Sequence, residues 1–160
     1  MKPYQLEFTH RLPISLKDAW QFFSSPLNLA KITPKEMGFE VTSKLERASC
    51  MYAGMIITYK VSPLFGLKLN WVTEITHMVE GKYFVDEQRF GPYQFWHHEH
   101  HFKEINGGVE MRDLLTYGMP FGVLGKGVNG LLVAKKIQQI FKFRTEKITE
   151  MFGDYKSLAT

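Results

Sequence analysis

Apolar and polar residues alternate with a period of two along most of this chain, which is typical of β-strands with one buried face. Short turn signals such as Glu80-Gly81 and Asn106-Gly107-Gly108 separate the later stretches. Connections this short allow only antiparallel neighbours, so the pattern predicts one antiparallel sheet. The predicted strands cover residues 4–12, 38–45, 54–62, 67–79, 82–90, 93–105 and 108–119.

Three other segments show helical spacing instead. Ser15 and Asp18 have the spacing of a capping box at the start of the first helix. Ser25-Pro26 suits the start of a second short helix, which Pro34 ends. The third helix carries a long apolar stripe and runs to Gly153, which suits a left-handed helix cap. The stripe comprises Val133, Ala134, Ile137, Ile140, Phe141, Ile148, Met151 and Phe152.

The order of these elements predicts the fold class. One strand is followed by two short helices, six strands and one long helix, all within residues 1–160. Only the last helix is long enough to cover one face of the sheet. We therefore expect a single α+β domain, with a cavity between an antiparallel sheet and its C-terminal helix.

The stretch FWHHEHHF, residues 95–102, places four histidines on one predicted strand. Side chains of a strand point alternately to its two faces, so the histidines divide into two pairs. Burying Glu99 and Lys103 would cost more free energy than burying two imidazoles. His98 and His100 are therefore predicted to point inward, whereas His97 and His101 point outward.

The same alternation on neighbouring strands predicts polar groups within an apolar interior. Adjacent hairpins would place Asp86 and Asp113 on either side of His98 and His100, where hydrogen bonds would raise the histidine pKa. A closed structural network in a solid core is one interpretation; a cavity filled by solvent or ligand explains so many polar groups better. The other residues predicted to face inward are Ile57, Tyr59, Leu69, Trp71, Ile75, Phe84, Gln88, Phe90, Trp96, Phe102, Met111, Leu115 and Tyr117.

Composition narrows the class of protein. The chain is 44% hydrophobic and 22% charged, as in ordinary globular domains, but its 14% of aromatic residues is high and suits a pocket. The single cysteine, Cys50, excludes an intrachain disulfide, and the N-terminal residues lack the apolar core of a secretion signal. No apolar run reaches the length of a bilayer span. A cytoplasmic protein without stable membrane insertion is expected.

The net charge of +4 raises the question of an anionic partner. The positively charged residues of the chain are densest in the last predicted helix. We interpret them as a solvated helix face, and not as a surface for nucleic acid or an anionic membrane. These residues are Lys135, Lys136, Lys142, Arg144 and Lys147.

A glycine-rich motif, G-x-G-x-x-G, occupies residues 125–130 between the last strand and the last helix. A dinucleotide-binding fold would need a further parallel strand after that helix, and the chain offers none. We therefore expect a gate-like loop, whose apolar residues Phe121, Val123 and Leu124 would line the pocket mouth or make transient contact with a membrane.

Three segments together resemble a known superfamily. AWQFFSSPLNLAKITP, FVDEQRFGPYQFWHHEHHF and MRDLLTYGMPFG, followed by the terminal helix, resemble the START-like helix-grip superfamily (SRPBCC), and within it the bacterial polyketide-cyclase-like branch. The resemblance covers nearly the whole chain. It implies a seven-stranded antiparallel sheet wrapped around the C-terminal helix and a deep hydrophobic tunnel. Its most specific residues are Asp86, Gln88, Trp96, His98, His100, Phe102, Asp113, Tyr117 and Pro120.

The resemblance also bounds the function, because members of the superfamily bind lipids, sterols, quinones, polyketides or plant hormones, and a minority catalyse cyclisation or dehydration. We predict a binding or carrier protein for a hydrophobic small molecule, with no cofactor and no resident metal. The predicted ligand-binding residues are Tyr59, Trp71, Phe84, Asp86, Gln88, Trp96, His98, His100, Asp113 and Tyr117.

Two alternatives use the same polar cluster. A cyclase or dehydratase would use a His–Asp pair for acid–base chemistry, with His98, His100, Asp113 and Tyr117 as the candidate catalytic residues. A metal site would combine His98 and His100 with one of the two aspartates.

Overall fold

A computed structural model describes residues 3–45, 50–62, 67–119 and 128–156 of the protein. The α+β class and the order of elements are as predicted. The strands are β1 (Tyr4–Leu12), β2 (Glu40–Val41), β3 (Ile56–Val61), β4 (Leu69–Val79), β5 (Tyr83–Phe90), β6 (Phe95–Ile105) and β7 (Gly108–Gly118). The α-helices are α1 (Leu16–Phe23), α2 (Pro26–Leu29) and α3 (Val128–Phe152), and 3₁₀ turns cover Ala30–Ile32 and Lys35–Met37.

All seven strands form one antiparallel sheet in the order β1-β7-β6-β5-β4-β3-β2. Strands β2 to β7 follow one another as neighbours, and only β1 crosses over, to pair with β7. This pairing places β5, β6 and β7 side by side, so that inward residues of all three share one surface.

The helix ends follow the predicted capping chemistry in part. The backbone N–H of Asp18 donates to the Ser15 hydroxyl, which confirms the cap of α1. Ser25 stands at the N-cap of α2 but makes no side-chain cap hydrogen bond. Gly153 has a φ of +91° and its N–H donates to Thr149 O, which gives α3 the predicted left-handed cap.

Strand β2 is much shorter than the predicted 38–45. The Ser43 hydroxyl accepts the N–H of Thr58 at 2.6 Å, so a side chain replaces the backbone partner that would extend the ladder. Two residues predicted to face inward are also exposed: Phe90 by 63% and Leu69 by 37%. Both lie at strand ends, and the β4–β5 register shifts next to Phe90, between Val72 and Thr73.

Helix α3 is fixed to the sheet by its apolar stripe. The ring of Phe141 stacks on that of Phe8 from β1, with 3.8 Å between centroids. Ile148 is 1% exposed and packs in the larger core cluster with Trp20 and Phe102. Among the described residues, no helix is long and apolar enough to cross a membrane.

The glycine-rich motif is only partly described. Residues 120–127, which include Phe121, Val123, Leu124 and the first two motif glycines, lie outside the described ranges, as does the predicted gate. Helix α3 starts at Val128, so the end of the motif is helical.

Packing predicts unequal roles for two isoleucines of α3. Ile148→Ala should lower the free energy of unfolding by about 2–5 kcal/mol, because it leaves a void in a closed core. Ile140→Ala should cost clearly less, because Ile140 is only half-buried and already borders a cavity. Urea denaturation of both variants measures the difference, and equal losses would contradict this packing.

Candidate functional site

A cavity of about 170 Å³ lies between the sheet and α3. This is far more than the roughly 10–15 Å³ that one water molecule requires. Its walls are mainly apolar and aromatic, and α1, α2, five strands and α3 all contribute to them. The wall residues include Phe22, Leu29, Ile32, Met37, Phe39, Ile57, Val61, Ile75, Met111, Val133, Ile137, Ile140 and Phe141.

The predicted ligand-binding residues divide into two groups in the structure. Gln88, Asp113 and Tyr117 do not line the cavity. The Gln88 side-chain amide donates to Tyr93 O and accepts from the N–H of Tyr93, which closes the β5–β6 turn. Asp113 and Tyr117 are fully buried behind the wall. The residues that do line it are Tyr59, Trp71, Phe84, Asp86, Trp96, His98 and His100.

His98 and His100 are buried and face the cavity, in the predicted orientation. Register explains their surroundings: on the sheet, His98 stands opposite Asp86 of β5, and His100 stands opposite Asp113 of β7. Each histidine also reaches the other aspartate diagonally. The four side chains therefore form a compact cluster across three strands, which we call the His–Asp cluster.

Each imidazole of the His–Asp cluster contacts both carboxylates. His98 Nε2 donates to Asp113 Oδ1 at 3.0 Å, and its Nδ1 lies 3.4 Å from Asp86 Oδ2. His100 Nε2 donates to Asp86 Oδ2 at 2.8 Å. His100 Nδ1 lies 2.8 Å from Asp113 Oδ1 but lacks the orientation of a hydrogen bond. The centroids of the His98 and His100 imidazole rings are 3.8 Å apart.

This geometry keeps the carboxylates ionised and favours a charged His98. Burial alone would raise the pKa of Asp86 and Asp113, but the two histidines lower both well below the usual range. Burial alone would lower the pKa of His98. The adjacent Asp86 and Asp113 outweigh it and raise that pKa to about 9. An imidazolium is held between two carboxylates at neutral pH.

A third histidine, which the sequence analysis did not single out, lies behind the cluster. His10 of β1 is buried, with Nε2 3.8 Å from Asp113 Oδ2. The Thr145 hydroxyl donates to Phe141 O, so it accepts from His10 Nδ1. Burial lowers the pKa of His10, with Asp113 opposing and Arg144 adding to the effect. The neutral form with its proton on Nδ1 fits the contact with Thr145 and leaves Nε2 without a hydrogen-bond partner among the described residues.

Arg144 corrects the interpretation of α3 as a solvated face. Its side chain is 8% exposed and lines the cavity, and half-buried Lys136 lines it two turns earlier. Helical spacing explains this, because Arg144 follows Ile137 by seven residues, follows Phe141 by three and precedes Ile148 by four. It belongs to the apolar stripe. The sequence analysis missed Arg144 because its charge was given more weight than its position in the apolar stripe.

The cluster also has the spacing of a metal site. One ligand atom each of Asp86, His98 and His100 lies within 4.8 Å of the others, as two-histidine, one-carboxylate binding requires. An imidazole must be neutral to bind a metal, whereas the raised pKa of His98 favours its proton. A metal would therefore compete with an existing set of hydrogen bonds.

The two outward histidines are partnered on the opposite face of the sheet. His97 Nδ1 lies 2.7 Å from Glu87 Oε1, and His101 Nε2 lies 2.9 Å from Glu99 Oε2. These pairs are partly exposed and belong to a charged outer surface, as predicted.

Comparison with solved structures identifies the fold. Protein Ms6760 from Mycobacterium smegmatis is similar over 92% of this chain and 89% of its own, at 17% identity and a TM-score of 0.66. Protein CV1439 from Chromobacterium violaceum is similar over 94% and 99%, at 15% identity and a TM-score of 0.66. Ginseng major latex-like protein 151 from Panax ginseng is similar over 94% and 97%, at 10% identity and a TM-score of 0.64.

The chain has the START-like helix-grip fold. This confirms the predicted seven-stranded sheet, long C-terminal helix and two short helices after the first strand. No protein-family model matches the chain, and no curated protein matches it in sequence. At these identities the similarity establishes the architecture alone.

The His–Asp cluster predicts a specific pH dependence of stability. The pKa of His98 is 6.5 in the unfolded chain and about 9 when folded, so its stabilisation is complete below pH 6.5 and is lost as pH rises through 9. The loss should reach roughly 3 kcal/mol. His10, with its lowered pKa, and the two aspartates act in the opposite direction, below pH 6.5 and below about pH 4 respectively.

Chemical denaturation between pH 6 and 9.5 measures this effect. His98→Gln should remove most of the alkaline slope, although it also lowers stability overall by leaving carboxylates unpaired. His97→Gln, on the outer face of the same strand, should keep the slope. An unchanged slope in His98→Gln would show that His98 is neutral in the folded protein.

Proposed function

We propose that the protein binds a hydrophobic small molecule in the cavity between its sheet and α3, and acts as a carrier or binding protein for it. The observation that carries this proposal is an aromatic and aliphatic cavity with a small set of charged groups in its walls. Sites for small molecules have this general composition, because the apolar walls provide affinity and a few polar groups orient the ligand.

In this proposal the apolar body of the ligand contacts Tyr59, Trp71, Phe84 and Trp96, and its polar end meets Asp86, His98 and His100. Asp113 acts from behind by orienting the two imidazoles. His98, with its raised pKa, and the two ionised aspartates keep their protonation states near neutral pH, so they suit recognition better than proton transfer. Cyclase or dehydratase chemistry would require a base whose pKa lies near neutral, whereas the pKa of Asp86 is well below its usual range and that of His98 is raised to about 9. A cytoplasmic location and transient membrane contact remain predictions.

The first test uses N-phenyl-1-naphthylamine, a neutral fluorescent probe for apolar pockets. The protein should bind it with saturable fluorescence enhancement. Ile140→Trp should abolish binding, because the half-buried side chain at 140 borders the cavity and a larger one fills it. Lys142→Trp, which adds the same side chain at an exposed position of α3, is the matched control and should bind normally.

Native mass spectrometry of freshly purified protein complements this test by detecting a co-purified organic molecule. Failure of the probe to bind the wild-type protein, or equal binding by Ile140→Trp and wild type, would overturn the proposal. Metal analysis of the same sample addresses the metal alternative: stoichiometric metal that is lost in His100→Gln would favour it.

A further inference from the structure

Arg144 presents a cationic group to the cavity from the helix side. It is 8% exposed, and its Nε makes no hydrogen bond within the described part of the chain. Across the same residues, no carboxylate oxygen lies within 4.0 Å of its guanidinium. A buried charge is unfavourable unless it is paired, so this position needs a partner.

The nearby carboxylates are already engaged. Asp86 and Asp113 act on the charge of Arg144 from a distance, but their contacts at hydrogen-bond range are with His98 and His100. The ring of Phe141, with its centroid 4.8 Å from the guanidinium carbon, supports one face of the group. Arg144 also lines the cavity, so a molecule bound there can approach the other N–H groups of its guanidinium.

We propose that Arg144 binds the carboxylate of an amphiphilic ligand whose apolar body fills the cavity. A guanidinium offers parallel N–H donors at the spacing of two carboxylate oxygens, so a planar, two-oxygen anion fits it best. This inference rests on the proposed binding function and specifies its ligand class as a hydrophobic carboxylic acid. It places the acid group at Arg144 and not at Asp86, whose carboxylate would repel it.

The position of Lys136 supports the same class. Lys136, Ile140 and Arg144 follow one another at intervals of four residues and all line the cavity. They span about 12 Å of the helix axis. The helical wall thus carries two cationic side chains with an apolar contact between them, opposite the His–Asp cluster on the sheet. Such a wall favours an anion over a neutral or cationic amphiphile.

The wild-type protein provides the first test. Decanoate and decan-1-ol have the same chain length and differ in charge, and each would displace bound N-phenyl-1-naphthylamine at concentrations below micelle formation. Decanoate should displace the probe at a concentration at least about tenfold lower, the expected gain from a charge-assisted hydrogen bond. Equal displacement by both compounds would overturn the inference.

Variants then assign the preference to Arg144. Arg144→Leu should remove the advantage of decanoate over decan-1-ol, measured as the ratio of their displacing concentrations in the same variant, and Arg144→Lys should restore part of it. Lys142→Leu removes a positive charge from the exposed face of α3 and is the matched control. Decanoate preference that persists in Arg144→Leu, or is lost equally in Lys142→Leu, would contradict the assignment.

The two proposals fail in different ways. If the neutral probe does not bind at all, both the cavity-binding function and this inference are wrong. If it binds and decanoate shows no advantage, only the carboxylate inference is wrong. Should Arg144→Leu not fold, Arg144→Lys and the wild-type comparison still decide, because a structural arginine would not discriminate between the two compounds.

Discussion

The interior of this protein depends on one electrostatic arrangement, two imidazoles held between two carboxylates across three adjacent strands. Neither carboxylate would be stable unpaired in this interior, because an unpaired buried charge costs several kcal/mol. Two hydrogen bonds and two further close contacts join Asp86, His98, His100 and Asp113. The strand register brings them together, and they in turn disfavour a shift of one residue, which would move every charged side chain to the wrong face.

This arrangement gives the mainly apolar sheet side of the cavity one polar cluster. Helix α3 completes the enclosure, and it has two roles on one face. Phe141 and Ile148 pack against the strands and fix the helix in place. Lys136 and Arg144, which are eight residues apart on the same helix, border the cavity. The solved structures compared above share this architecture at identities of only 10–17%. Individual wall residues, and not the fold, would therefore distinguish one ligand from another.

Much of the architecture was predictable from the sequence, because alternation in strands is a strong signal when charged residues mark one face. Glu99 and Lys103 were enough to orient His98 and His100. The same reasoning was wrong for Phe90 and Leu69, since alternation does not tell how far a strand end extends beyond the layer that covers it. The short β2 was also not predictable, because it depends on a hydrogen bond from the Thr58 backbone to a side chain distant in sequence.

Site residues were harder to predict than elements. Strand alternation predicted that Gln88 points inward. Its side-chain amide instead forms hydrogen bonds with the backbone of the following turn, which no periodicity reveals. Arg144 was missed for the opposite reason: its spacing within the apolar stripe indicated burial, while its charge suggested solvent. In an amphipathic helix, a charged residue at a stripe position is worth examining as a pocket residue.

The crossover of β1 has a consequence for biosynthesis. Its partner strand is β7, and the ion pair of Glu7 with Arg112 joins residues 105 positions apart. At typical ribosomal speeds roughly 5–20 s separate the emergence of these two segments. During that interval Leu6, Phe8 and Leu12 have no sheet to join, and long-range pairing of this kind is slow even in a complete chain. These apolar side chains therefore cannot be buried against their partner strand until β7 is available.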